Sequence, residues 1–259
     1  MVFDVRGRRK HVVRVVYAVL ALLMGASLFL VVGPFNVGAL IGNGSSVSSA
    51  GKIDQEQVQR LEEKLRRDPS NEALLLSLTR AHIIAAGALS EVNPETGLPV
   101  PTTEALREYT TALGTWTEYK KQTDTPNPTL AHAAAETYIK VAEFSGGIEE
   151  AQANIKKAAE TQRIAAEAQP SLGSLSLLAT YEYFAGNYAA GDKAAAEATK
   201  KTTKAEAKEV KKKLAETRIR AQQYHKEVRE FKKTEKEKGK EALKNSLGGL
   251  GGTGAPLGG

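Results

Sequence analysis

The chain has 259 residues, with 36 Lys/Arg and 30 Asp/Glu side chains and a net charge of +6. It contains no cysteine, which excludes disulfide bonds, thiolate metal sites and thiol nucleophiles. The charge is uneven: residues 1–14 carry five basic and one acidic side chain, residues 15–199 carry 14 and 21, and residues 200–244 carry 17 and 8. An acidic central part therefore lies between two basic ends.

A long apolar run follows the basic residues 1–11. Residues 12–32 carry a single charge, on Arg14, and a helix of that length measures roughly 31 Å, close to the thickness of a hydrocarbon core. We therefore predict a transmembrane helix that ends before Pro34, with a cytoplasmic N-terminus because the positive side chains precede it. A cleaved signal peptide is the alternative, with small residues at a suitable place in 37–39.

The Gly- and Ser-rich residues 33–51 have no helical periodicity and predict a flexible linker. With the anchor, they indicate a single-pass protein of a bacterial cell membrane. The rest of the chain would then lie outside the cytoplasm.

Amphipathic helices are predicted from residue 53 onward. The first ends at Asp68-Pro69, the second is capped by Ser70 or Asn71, and prolines around Gly97 indicate an inserted loop. The later helices are predicted at 104–121 after Thr103, at 129–144 with Thr129 as cap, at 148–168, and in a final pair that begins at Pro170-Ser171 and turns at Gly186-Asn187.

Small residues recur at helical spacing in the last predicted helix pair. Gly191, Ala195 and Ala198 are four and three residues apart, so they would form a narrow face where the two helices cross. Larger side chains are expected to fill the space opposite this face, namely Leu178, Tyr181 and Tyr188.

Two units of the predicted array share residues at corresponding positions. The last unit carries Leu178, Ala179, Gly186, Tyr188, Gly191, Ala195 and Ala198. The middle unit carries Tyr138, Gly146, Ile148, Ala151, Ile155 and Ala158. This pattern resembles the tetratricopeptide repeat family. The resemblance covers about residues 53–201, with an insert in the first unit and a longer second helix in the middle one. It implies an α-solenoid of about three helical pairs at 52–202, with a plain helical bundle as the alternative.

The resemblance also implies a binding groove for other proteins, lined by the first helix of each pair. The matching positions are Arg80, Ile83, Glu136, Lys140, Glu143, Ser176, Thr180 and Tyr183. No asparagine stands among them, so the carboxylate clamp of some family members is not expected. Alternatively, these side chains are only solvated or packed within the chain.

A long basic helix is predicted at 203–245, followed by a disordered Gly-rich tail at 246–259. Apolar residues at steps of three and four form a heptad seam up to Phe231. The first half of the seam would fold back on the array, and the half beyond Tyr224 would project. Tyr224, Val228 and Phe231 would then contact a partner or a second copy of the chain. The alternatives are that the whole helix caps the array, or that its basic face binds lipid or an envelope polymer; nucleic acid is the least expected ligand.

The sequence offers no constellation for catalysis. Its four histidines form no metal-ligand pair, and no nucleophile motif or carboxylate pair among aromatics is present. We therefore expect an all-α, cofactor-free scaffold that binds proteins, with a role in assembling or chaperoning exported or envelope proteins. The alternative is a structural tether that links the membrane to an anionic polymer or lipid surface through the basic helix.

Overall fold

The computed structural model of the chain describes residues 47–95 and 99–248. The predicted membrane span at 12–32, residues 33–46 of the predicted linker and residues 249–259 of the predicted tail lie outside these ranges. Residues 47–51 of the linker and 246–248 of the tail are helical instead. Within the described ranges, no helix combines the length and the apolar character needed to cross a membrane.

The described residues form eight α-helices and a two-stranded antiparallel ribbon. The helices are α1 Val47–Arg67, α2 Glu72–Ala88, α3 Thr103–Lys121, α4 Pro128–Glu143, α5 Ile148–Ala168, α6 Leu172–Ala185, α7 Tyr188–Lys200 and α8 Lys204–Gly248. The ribbon pairs β1, Ser90–Val92, with β2, Pro99–Pro101. The predicted all-α class is therefore confirmed, apart from the ribbon.

Side-chain acceptors fix the starts of four helices. In each case the side chain accepts a hydrogen bond from a backbone N–H of the first turn, and the capping residues are Asn71, Thr102, Asn127 and Ser171. The prediction that Thr129 caps α4 is wrong, because Pro128 already occupies the first turn and Asn127 precedes it.

The helices pack as successive antiparallel pairs. α2 packs on α3, α4 on α5, and α6 on α7; α1 covers α2 at one end, and α8 covers α6 and α7 at the other. Contacts between α3 and α4 and between α5 and α6 join one pair to the next. This order is compatible with an α-solenoid.

The predicted insert between α2 and α3 contains the ribbon rather than loop alone. Ser90 pairs with Pro101 and Val92 with Pro99, and the Thr102 hydroxyl donates to the Leu89 carbonyl at 2.9 Å. The ribbon therefore starts and ends directly beside the two helices that it connects.

The α6–α7 crossing depends on a single glycine. A Cβ at Gly191 would lie 2.5 Å from Cε1 of Tyr183 and closer still to Cδ1, so only a residue without a side chain fits against this ring. Ala194 and Ala198 are also buried here, whereas Ala195 is only partly buried. The predicted small face is present, but Ala194 takes the inner position assigned to Ala195.

α8 docks along the array from Val210 to Lys232. Tyr224 and Val228 are buried, Phe231 packs on the core, and the rings of Tyr224 and Phe184 lie 5.7 Å apart. Further on, Lys232 Nζ lies 3.0 Å from Glu149 Oε1, at the start of α5. The prediction that the helix projects beyond Tyr224 is wrong, because α8 runs past the last pair and reaches the preceding one.

Candidate protein-binding groove

One face of α4 keeps three charged side chains accessible. Glu136, Lys140 and Glu143 are four and three residues apart, so they lie on the same side of the helix. Lys140 is exposed and both glutamates are partly buried, while neighbours such as Ile139 and Ala142 face the core. The structure thus keeps three of the predicted groove residues together on an accessible surface.

Lys140 is held by the neighbouring helix α3. Its Nζ donates to the Tyr109 hydroxyl at 3.3 Å and lies 5.1 Å from the centroid of that ring. A cation over an aromatic face is attracted by the negative π surface. Lys140, the only basic residue among these three side chains of α4, is therefore held against α3.

Glu143 is a partly buried acid that makes no hydrogen bond and no ion pair with any described residue. Burial raises the pKa of its carboxyl from 4.5 to about 7, and the charge of Lys140 offsets only part of this effect. The carboxyl therefore titrates near neutral pH. A cation placed beside it would favour the ionised form.

Tyr181 on α6 lies within the electrostatic reach of both α4 glutamates. Burial raises the pKa of the Tyr181 phenol well above its ordinary value, and the charges of Glu136 and Glu143 raise it further. The side chain is 4% exposed, and its hydroxyl forms no hydrogen bond within the part of the chain that the structure describes. The candidate groove therefore combines two carboxylates with a tyrosine whose ring is buried in the core and whose hydroxyl makes no hydrogen bond to a described residue.

The predicted residues on α2 lie next to this face but contribute differently. α2 contacts α4, and both Arg80 and Ile83 are partly buried. Ile83 packs against the main core, and the Nε atom of Arg80 is buried without a hydrogen-bond partner among the described residues. Arg80 is therefore as accessible as the two glutamates on α4 and adds a cation on the α2 side, whereas Ile83 belongs to the core.

The three predicted groove residues on α6 are buried. Ser176, Thr180 and Tyr183 are each at most 4% exposed, the Thr180 hydroxyl donates to the Ser176 carbonyl, and the Tyr183 hydroxyl donates to Asp192 on α7. α5, α7 and α8 all pack on α6 and cover these positions. Tyr181 lies in the core, in agreement with its predicted role in filling the helix pair. Its position near the α4 glutamates could not be read from the sequence, because no polar stripe on α6 marks an outward face.

The three predicted contacts on α8 also face inward. Tyr224 and Val228 are 4% and 2% exposed, and Phe231 packs against the core cluster. They hold α8 on the array, and only Phe231 keeps part of its surface accessible.

Among residues 47–95 and 99–248, no group of three or more His, Asp or Glu side chains is placed to hold a metal ion. His82 instead contacts two glutamates: its Nδ1 lies 2.6 Å from Glu108 on α3, and its Nε2 lies 4.0 Å from Glu62 on α1. His82 is fully buried. These contacts tie α1 and α3 to α2.

Comparison of the chain with protein-family models, with curated proteins and with solved structures finds no match. The accessible charges and the unpartnered groups around α4 are therefore the main guide to function.

Proposed function

We propose that the chain is a non-catalytic scaffold that binds other proteins through the face formed by α4 and Tyr181. The observation that supports this proposal most directly is Glu143, a partly buried carboxylate with no partner among the described residues. A lysine or arginine side chain of a bound protein would pair with it and with Glu136. The Tyr181 hydroxyl would supply an additional hydrogen bond to the same ligand.

The successive helix pairs support a solenoid for this role. The tetratricopeptide-like interpretation of the sequence belongs to the same proposal, with α2, α4 and α6 as the first helices of three pairs. Solenoids bind partners along an extended surface formed by equivalent helices. α4 is the middle one of the three and contacts α2, so a segment bound to Glu143 would extend toward α2.

The proposal places the array outside a bacterial cell membrane. Residues 12–32 would anchor the chain with a cytoplasmic N-terminus, and residues 33–46 would give the array reach from the bilayer. A scaffold in this position would assist the assembly or chaperoning of exported or envelope proteins.

A second candidate function is that of a tether to an anionic envelope polymer or lipid surface. The exposed lysines on α8 favour it, for example Lys208, Lys212, Lys226 and Lys233. In this case the helix pairs would act as a spacer between the membrane and the basic helix.

Crosslinking and capture of the chain from membranes tests the scaffold proposal. We expect wild type to yield defined proteins, and Glu143→Gln to yield roughly tenfold less of them, because a lost ion pair of about 1.4 kcal/mol corresponds to that factor. Glu63→Gln, at an exposed position on α1, is the matched control and should behave like wild type. Equal capture by the two variants would contradict a role for the α4 face, and capture of polymer alone would favour the tether.

A further inference from the structure

A groove separate from the α4 face lies between α7 and α8. It encloses about 380 Å³, at the lower end of the range of ligand pockets. Small side chains on both helices leave this space open, with Ala195 and Ala196 on one wall and Ala215 on the other, next to the buried Leu214. The walls are therefore apolar, and the space suits an apolar side chain.

Asp192, the acidic residue in the groove, already has two partners within the chain. Asp192 accepts a hydrogen bond from the Tyr183 hydroxyl at 2.9 Å and pairs with Arg218 Nε at 3.1 Å. Arg218 is also fixed by the ring of Tyr188, whose centroid lies 5.6 Å away. Lys211 lines the groove too, and it forms no hydrogen bond or ion pair with any described residue. An uncompensated positive charge thus remains at the border of an apolar space.

Further positively charged side chains lie along α8 on the side of the groove. Steps of four and three residues place six side chains on one stripe, Lys204, Lys208, Lys211, Ala215, Arg218 and Gln222. The stripe contains four cations and no acid, and only Arg218 among them is paired with a described residue, Asp192 on α7. Ile219 is 52% exposed one turn from Ala215, so an apolar side chain also lies beside the stripe.

We propose that this groove binds an acidic segment of a partner protein, with an apolar side chain of that segment inserted between α7 and α8. Carboxylates on either side of the inserted residue would pair with the stripe. Exposed Glu209 and Glu216 lie on the adjacent face of α8 and would repel a flat anionic membrane, whereas a single extended segment touches only the stripe. This proposal does not depend on the α4 face.

Fluorescence anisotropy tests the proposal with the full-length chain in an uncharged detergent. The probe is a labelled octapeptide with a central Phe-Leu pair flanked by Glu and Asp residues, and the same peptide with flanking lysines is its control. We expect the acidic peptide to bind at low salt and the basic peptide not to bind. Because Lys211 is exposed, Lys211→Glu should leave folding intact and weaken binding roughly tenfold or more.

Two further variants separate the groove from general charge. Ala215→Leu fills the groove and should weaken binding, while Ala205→Leu, at an exposed position off the stripe, should not. Lys212→Glu matches the charge change of Lys211→Glu from outside the stripe and should have a smaller effect. Glu143→Gln should bind the peptide like wild type, which separates this site from the α4 face.

Three outcomes would overturn the proposal. One is equal binding of the acidic and basic peptides, and another is wild-type affinity in both Lys211→Glu and Ala215→Leu. The third is absence of binding of the acidic peptide; Lys211-dependent binding to phosphatidylglycerol micelles would then assign the groove to lipid.

Discussion

Replacing Gly191 with alanine tests the α6–α7 crossing with a single methyl group. The added Cβ would overlap Cδ1 and Cε1 of the Tyr183 ring. The ring has little freedom to move, because the Tyr183 hydroxyl donates a hydrogen bond to Asp192. The backbone carbonyl of Tyr183 is held as well, since it accepts a hydrogen bond from His225 Nε2 at 3.2 Å. Overpacking of this kind costs about 1–3 kcal/mol.

Alanine also stabilises a helix interior relative to glycine, by about 0.8–1.0 kcal/mol, and this gain partly offsets the clash. Gly114 in α3 provides the matched control, since it is exposed and a Cβ there would meet no atom within 4 Å. Gly114→Ala should therefore show only the gain. The difference between the two variants isolates the steric cost, roughly 1–3 kcal/mol.

Thermal unfolding of the full-length chain in mild detergent, followed by far-ultraviolet circular dichroism, measures this difference. For a chain of this size 1 kcal/mol shifts Tm by about 2–4 °C, so a cost of about 2 kcal/mol separates the two variants by roughly 4–8 °C. In a Tyr183→Leu background, Gly191→Ala should lose most of its penalty. If Gly191→Ala raises Tm as much as Gly114→Ala does, the ring does not lie over Gly191 and the crossing is wrong.

Three further predictions concern charge and burial. Arg163→Ala removes the ion-pair partner of the buried Glu182 and should destabilise the fold; because Arg163 is partly exposed, urea titration should give less than the roughly 3–5 kcal/mol of a fully buried pair. The pKa of Glu143 is raised, so its contribution to stability is complete below pH 4.5 and is lost as the pH rises through about 7. The Tm of wild type should therefore fall over this pH range relative to the Tm of Glu143→Gln, and parallel pH profiles of the two would contradict the raised pKa. Val228→Asp should cost at least the roughly 2–5 kcal/mol of a buried Leu→Ala change, whereas Ile219→Asp at an exposed position should be nearly neutral in the same melting assay.

Local sequence chemistry predicted the helices well because their ends depend on nearby residues. Asn71 and Ser171 cap the helices where expected, and the turn at Gly186 has the positive φ of 88° that favours glycine. The two displaced caps have local reasons. Thr102 rather than Thr103 caps α3, because the Thr102 hydroxyl is also held at the base of the ribbon. In α4, Pro128 already occupies the first turn, so Thr129 cannot be the cap.

The candidate groove was only partly predictable, because it depends on which helix faces are covered. Glu136 and Glu143 stand on an amphipathic helix, whose polar side can be read from the sequence. Thr180 and Tyr183 stand on α6, which neighbouring helices surround, so a register taken from a family pattern placed them on the wrong side. The docking of α8 past Tyr224 depends on contacts with α5, far away in the sequence, and no local pattern encodes them.

The reach of α8 to α5 has a consequence for the order of folding. Lys232 donates to Gln152, 80 residues earlier in the chain, so α8 links helices that a simple repeat array would leave independent. It is also the last of the described helices to leave the ribosome. Until it docks, apolar side chains of the last pair such as Phe184 lack their cover. A nascent chain that ends before α8 therefore exposes a surface prone to association, and completing this helix protects the array.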